Sequence, residues 1–441
     1  MIEEDLKDKP VKPLSGTEKV RSFQRKIYLK AKQEREFRFY VMYDKISLQH
    51  FLHEAWKGVK ANKGVPGYDK VTFSAIEEYG VDNYLRELAE ELKAETYKPQ
   101  PILRVYVPKA NGKMRPLGIP TIRDRIVQMS CKMVIEPVFE ADFEDCSFGF
   151  RPRRSAKEAI AEVKSNLKHG KTKVYDADLS GFFDNIPHDK LLIMLEKRIS
   201  DKRVINLIKK WLKCTVFEDN KLHKSRKGTP QGGVISPLLA NIYLNLIDKA
   251  VTRKDGHFHK YGISMIRYAD DFILMGSKLP EEALAYLEKM LEKMELDVNT
   301  DKTKQIDARK ESFDFLGFTF RHDRGIYGNN AKYWNVIPSK KSELKIREKF
   351  KKVFRYCRHY SSEDITRTLN PIIRGWLNYF SIRGVSYPSK AKGKLHRYLD
   401  ESFYRFFQRK SQRKCKLYRR GAFAYLVRYY GLIDPARYKF V

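Results

Sequence analysis

Two apolar, strand-forming runs, 263–268 and 272–275, are separated only by Ala269, Asp270 and Asp271 (RYADDFILMG, 267–276). Runs this close fold back on each other as a hairpin, which pushes both carboxylates to its tip. Like charges so near one another are costly unless a cation neutralises them. Mg2+, a hard ion that prefers carboxylate and phosphate oxygen, meets that need. An Asp-Asp step in a solvated turn is the plainer alternative.

The surrounding chain raises the contrast. Of 441 residues, 88 are Lys or Arg and 55 are Asp or Glu, a net charge of +33. Self-repulsion on that scale is expected where phosphates neutralise it, so the balance points to nucleic acid rather than to a merely solubilising surface. At 42% hydrophobic residues the chain is a folded one, long enough for roughly two to four domains.

A second acidic motif, VYDADLSGFFD (174–184), places Asp178 at the end of an apolar strand, before a glycine and two aromatics. On a strand adjacent to the hairpin, Asp178 would face Asp270. Three carboxylates together would hold two Mg2+ about 4 Å apart, an arrangement for in-line phosphoryl or nucleotidyl transfer.

Periodicity predicts a basic helix over 19–38, further helices over 46–60, 123–139, 187–199, 201–212, 236–250 and 280–294, and a strand over 173–179. Strands over 102–109 and 115–119, joined by Ala110-Asn-Gly-Lys, predict a hairpin with a basic tip. Ser339 and Ser361 read as helix N-caps, and Ile365, Leu369, Ile372, Ile373, Trp376 and Tyr379 as one apolar face. Strands and helices mix without βαβ alternation, so the fold class is α+β.

No run of about 18 apolar residues is present, which argues against a membrane span. The polar start MIEEDLKDKP is no secretory signal, and Cys131, Cys146, Cys214, Cys357 and Cys415 lack any Cys-x-x-Cys pairing. The expectation is a cytoplasmic protein without zinc.

YADD (268–271), DADLSGFFD (176–184) and GTPQGGVISPLLANIYL (228–244) together closely resemble the reverse transcriptases encoded by group II introns. The resemblance extends upstream to YKPQPILRVYVPKANGKMRPLGIPTIRDRIVQ (97–128) and CSFGFRPRRSAKEAI (146–160). Downstream it takes in DKTKQID (301–307), FDFLGFTF (313–320) and the maturase-like LNPIIRGWLNYF (369–380). It implies a right-hand polymerase: a basic extension (1–42), fingers (43–125), palm (126–322), thumb or maturase domain (323–385) and a basic, helical C-terminal module (386–441).

By the same resemblance, Asp178, Asp270 and Asp271 are the metal-binding catalytic triad, served by two Mg2+ with Mn2+ as a substitute. Phe183 would lie under the incoming sugar and select dNTPs over rNTPs; an ordinary core Phe is the other reading. Lys109 and Arg115 would grip the triphosphate, as a point charge and a bidentate fork can. Gln231 would line the nucleotide pocket, where flanking glycines allow close backbone approach. Lys302 is the candidate acid that protonates pyrophosphate, with Lys304 an equally basic neighbour. Arg151, Arg153 and Arg154 would contact template or primer phosphates, unless they are plain surface arginines.

The last 56 residues hold 15 Lys or Arg against 3 acids, interleaved with 13 Tyr and Phe. Arg409, Lys410, Arg413 and Lys414 would neutralise phosphates there while aromatics stack on unpaired bases or fill a core. The implied partners are structured intron RNA, template RNA, a DNA primer or target, and dNTPs. The implied activities are RNA-directed DNA synthesis and help with intron splicing and mobility. The chain shows neither a His-Asn-His motif nor cysteine pairs, so the expectation is no DNA endonuclease. Two other readings remain: a non-catalytic RNA-binding splicing factor, or a reverse transcriptase domesticated for defence or DNA repair.

Overall fold

The computed structural model describes residues 14–108, 112, 114–224, 227–229, 232–299, 303–324, 332–409, 417 and 421–439. Its strands are β1 (Ile102–Pro108), β2 (Met114–Ile119), β3 (Lys173–Asp178), β4 (Thr215–Glu218), β5 (Lys221–Lys224), β6 (Ser264–Tyr268), β7 (Asp271–Gly276), β8 (Lys304–Asp307), β9 (Phe313–Phe315), β10 (Phe318–Arg324) and β11 (Lys332–Pro338). They form three sheets, in the orders β2-β1-β4-β5, β6-β7-β3-β8 and β11-β10-β9. With helices packed around them, the architecture is mixed α/β.

The β6-β7-β3-β8 sheet is the one that matters for the site, and it is antiparallel throughout. Its side chains alternate between two cores. Tyr175, Ala177, Met265, Phe272 and Leu274 join a core built with helices Gly16–Gln33, Gln49–Ala61, Ile122–Glu140 and Ser236–Thr252. Val174, Ile266, Ile273 and Met275 join a second core. That core takes in helix Ala156–Lys168, the β9–β11 sheet and helices Lys340–Tyr356, Ser362–Phe380, Ser389–Gln408 and Ala422–Tyr430. Burial on both faces explains why 272–275 reads as an unbroken apolar run. Each such side chain contributes roughly 1.5–3 kcal/mol by burial.

Capping explains where several of the helices begin. The first helix is Gly16–Gln33, set by a capping box in which Ser15 and Glu18 satisfy each other's backbone. The same device, Ser155 with Glu158, starts helix Ala156–Lys168, which the periodicity above did not single out. Ser339 and Ser361 do cap their helices, accepting from the backbone N–H of Ser342 and Asp364. Ile372 and Tyr379 sit half-exposed at the margin of their helix's apolar face. No helix among the described residues is long and apolar enough to cross a membrane.

Candidate active site

Strands β6 and β7 pair Tyr268 with Asp271, leaving Ala269 and Asp270 as the two turn residues. Strand β3 runs antiparallel beside β7, and its last pair is Asp178 opposite Asp271. The sheet thus brings Asp178, Asp270 and Asp271 to one end of its two central strands. Their exposure is graded: Asp178 and Asp270 are half-buried and Asp271 is exposed.

The turn is strained, and the structure shows what holds it. Ala269 adopts φ +60°, a left-handed conformation that hairpin turns usually assign to glycine. Such a residue persists only when its surroundings over-determine it. Here the restraint is Arg267, fully buried on β6. Its Nη1 donates to the Ala269 carbonyl at 2.9 Å and to Asn241 Oδ1 at 2.9 Å. Its Nη2 donates to Ser147 Oγ at 2.7 Å, and its Nε to Asp248 Oδ1 at 2.7 Å, with a second bond from Nη2 to Asp248.

Burial on its own would lower the Arg267 pKa; the facing Asp248 carboxylate outweighs it, and the value is raised. Asn241 also donates to the Gly149 carbonyl at 2.8 Å. Gly149 itself passes so close to the turn that a Cβ there would lie 2.3 Å from the Ala269 nitrogen. The clamp on the turn is therefore built from three distant parts of the sequence.

Asp178 has its own support. The backbone N–H of Asn299 donates to the Asp178 carbonyl at 2.8 Å, and Asn299 Nδ2 lies 3.3 Å from Asp178 Oδ2. Asp270 is held above the usual carboxylate range, by burial first and by the Asp178 charge as well, against the opposing charges of Arg115 and Arg267. Asp176, two residues before Asp178, is pushed up to about 6, by burial and then by Asp178 and Asp314, with Lys304 opposing. In both cases burial, which disfavours the charged form, is the largest cause and the neighbouring carboxylates add to it.

Phe183 is 9% exposed, its ring edge-to-face with Phe182 at 5.4 Å. Its carbonyl accepts from the Thr229 N–H at 2.7 Å, and Gly228 N–H donates to Ile186 O at 2.9 Å. The start of the Gly-Thr-Pro-Gln-Gly segment is thus stitched to the aromatic motif. Past it, Gln128 Oε1 accepts from the Val234 N–H at 2.9 Å. Gly232 (φ +119°) packs so that a Cβ would stand 2.3 Å from the Gly118 carbonyl of β2. The first hairpin, the aromatic motif and the glycine segment consequently meet. Arg115, exposed on β2, exerts its charge on Asp270.

One sequence expectation needs correction. Arg151 is not a phosphate contact in waiting: its side chain is 4% exposed and ion-paired with Glu140 at 2.8 Å, with Nη1 donating to the Ser147 carbonyl at 2.8 Å. Its donors are spent inside. Arg153 is exposed with φ +60°, while Arg154 pairs with Asp145 and lies 5.4 Å over the Phe148 ring. Arg409 is exposed at the C-cap of helix Ser389–Gln408. Lys109, Gln231, Lys302, Lys410, Arg413 and Lys414 lie outside the described residues. Sequence reasoning passed over Arg267, Asp248, Asn241, Gly149 and Asn299. Only Arg267, a charge inside an otherwise apolar strand run, carried a signal that could have found them.

Among the described residues, no three His, Cys, Asp or Glu converge closely enough to form a ready-made metal cage. The donor chemistry nevertheless suits a hard divalent cation. Asp178 and Asp271 offer oxygens from facing strands, with Asp270 half-buried at the adjoining turn.

Comparison with known proteins identifies the domains of the chain. Residues 107–320 match the family described as reverse transcriptase (RNA-dependent DNA polymerase), and residues 344–423 match the group II intron maturase-specific domain. The chain therefore carries an RNA-directed DNA polymerase domain followed by a maturase-specific one. It is 36% identical over 363 residues to Protein YkfC of Escherichia coli (strain K12), across 73% of this chain and 93% of YkfC. It is 44% identical over 168 residues to group II intron-encoded protein LtrA of Lactococcus lactis subsp. cremoris, 38% of this chain but only 28% of LtrA. An uncharacterised 91 kDa protein in the cob intron of Schizosaccharomyces pombe is 30% identical over 365 residues, 67% of this chain and 45% of that protein. The chain belongs to the group II intron reverse transcriptase/maturase family.

Proposed function

We propose that this chain extends a DNA primer on an RNA template, with Asp178, Asp270 and Asp271 at the reacting centre, and that it also assists intron RNA splicing. The observation that carries this reading is the register that sets Asp178 opposite Asp271, with Asp270 half-buried beside them. Reverse transcriptases work with a divalent metal. When bound, two Mg2+ would lower the pKa of the primer 3′-hydroxyl and neutralise charge on the departing pyrophosphate.

The chain's residues do the rest. Asp178 and Asp271 present carboxylate oxygens from neighbouring strands, and Asn299 fixes the Asp178 main chain. Arg115 takes triphosphate oxygens in a bidentate grip, with Lys109 as a second cation and Gln231 lining the nucleotide pocket. Phe183 closes the space under the sugar against a 2′-hydroxyl. Lys302, or its neighbour Lys304, gives a proton to the leaving pyrophosphate. In the right-hand description, 43–125 are fingers, 126–322 palm and 323–385 thumb, with 386–441 a basic module for RNA and DNA.

Asp178→Asn separates this reading from a splicing factor that only binds RNA. Primer extension is expected to fall on the order of 10³-fold, a loss of about 4 kcal/mol of transition-state stabilisation. RNA affinity should stay within about twofold, since one carboxylate contributes nothing favourable to phosphate binding. Unchanged extension would remove Asp178 from the reacting centre.

A further inference from the structure

The segment IPTIRDR (119–125) joins β2 to helix Ile122–Glu140, and its Asp124 is only 1% exposed. A carboxylate that dry persists only where donors converge on it. Tyr97 Oη donates to its Oδ1 at 2.5 Å, while the Gln100 backbone N–H and Thr121 Oγ1 donate to its Oδ2 at 3.1 and 2.8 Å. Behind Tyr97, the Trp211 indole N–H donates to the phenol oxygen at 3.1 Å. Thr121 in turn caps the helix, accepting from the Asp124 N–H at 3.1 Å. Three donors need a group that only accepts, which an ionised carboxylate is.

These bonds join both ends of the first hairpin. Gln100 stands just before β1, which starts at Ile102, and Thr121 just after β2, which ends at Ile119. Asp124 therefore ties the entering and the leaving strand to the same turn of one helix. Other supports reach one end each: β4 pairs with Ile102 and Leu103 of β1, and Arg125 Nε donates to the Pro120 carbonyl at 2.8 Å. Arg115 lies further along β2, about 13 Å from Ile119 at the usual strand rise. A tilt at the base is enlarged over that length. Since Arg115 exerts its charge on Asp270, the same tilt changes how its guanidinium faces the carboxylates.

We propose that Asp124 is a positioning residue, which sets the angle of the β1–β2 hairpin so that Arg115 meets the triphosphate of the incoming nucleotide. The triphosphate as Arg115's ligand rests on the reading given under Proposed function; the anchoring of the hairpin by Asp124 does not. Asp124 acts through Arg115 and touches no reacting atom, so its loss should weaken nucleotide binding without slowing the chemical step.

Single-nucleotide addition to a DNA primer on RNA separates the two, as KM for the dNTP against kcat. Asp124→Ala leaves all three donors unmet and should raise KM about 10-fold, the lower end for losing one charged hydrogen bond, with kcat within about twofold of wild type. Asp124→Asn keeps one acceptor oxygen and orphans a donor in either orientation; it should raise KM about threefold, and it replaces Asp124→Ala if that variant does not fold. Tyr97→Phe deletes the bond to Oδ1 but spares both hairpin ends, so it should lower the urea unfolding midpoint and leave KM within about twofold. In an Arg115→Gln background, Asp124→Ala should add less than about twofold to KM, because the group it positions is gone.

An active enzyme whose KM is unmoved by either Asp124 variant would overturn the proposal. So would an effect of the same size persisting without Arg115. A wild-type chain that adds no nucleotide would sink the polymerase reading instead, and hydrogen exchange then tests the anchor by itself. The β1–β2 amides should exchange faster in Asp124→Ala than in Tyr97→Phe; equal exchange in the two would refute the anchor.

Discussion

Arg267→Met is expected to abolish primer extension and to cost about 3–5 kcal/mol of stability, the usual consequence of stripping one partner from a buried ion pair. Both Arg267 and Asp248 have side chains with no exposure, so Asp248 would be left charged, dry and alone. Asn241, Ser147 and the Ala269 carbonyl would lose donors at the same time. Domains have only about 5–15 kcal/mol in total, so a large part of the margin goes with one side chain.

The compensated pair Arg267→Met/Asp248→Leu tells structure from catalysis. Replacing both charges with apolar groups of similar size should restore most of the urea unfolding midpoint. It does not restore the bond that holds Ala269 at φ +60°, so extension should stay low. A double variant recovering stability and activity together would show that Arg267 supports the fold alone. Arg267→Lys keeps the charge but not the planar fork, and is expected to fall between the two.

The second large effect concerns the sugar. Phe183→Val should relax selection of dNTP over rNTP by about 10- to 200-fold, or about 1–3 kcal/mol, the range over which an apolar pocket discriminates small groups. Val keeps an apolar packing surface and spares most of the cavity that Ala would leave. The neighbouring Phe182, 2% exposed, is the control. Phe182→Val should cost stability with selectivity unchanged. Selection ratios measured by competing dNTP and rNTP incorporation decide the matter; unchanged selectivity in Phe183→Val would make that ring an ordinary core residue.

How much of this was legible beforehand depended on the range of the interactions. The β6–β7 hairpin was readable because strand, turn and strand are adjacent in sequence, and Asp178 because its motif ends a strand of the same sheet. Helix starts were readable where a serine stood before an apolar face, as at Ser339 and Ser361. They were missed at Ser15 and Ser155, where the decisive partner is a glutamate three residues on.

What stayed hidden is non-local. Arg151 reads as a surface arginine in FGFRPRRS until Glu140, on the preceding helix, is seen to face it. Arg267, Asp248, Asn241 and Gly149 look unrelated until the fold encloses them, since the value of a buried charge lies in partners that may be 120 residues away, as Ser147 is here. Lys164 is similar: it is 4% exposed and donates to the Gly384 and Val385 carbonyls, at 3.1 and 2.8 Å, fastening helix Ala156–Lys168 to the segment after helix Ser362–Phe380. The C-terminal aromatics likewise divide only in three dimensions. Phe403, Phe406, Phe407 and Phe423 are core, while Tyr425, Tyr429 and Tyr430 remain exposed.

The most direct test of the central claim is extension of a DNA primer annealed to RNA, in Mg2+ with dNTPs, by the wild-type chain and by Asp270→Ala/Asp271→Ala. The account predicts DNA complementary to the RNA template from wild type and none from the double variant, with RNA bound equally by both. RNA bound tightly by a wild-type protein that adds no nucleotide would contradict it and leave an RNA-binding splicing protein in its place.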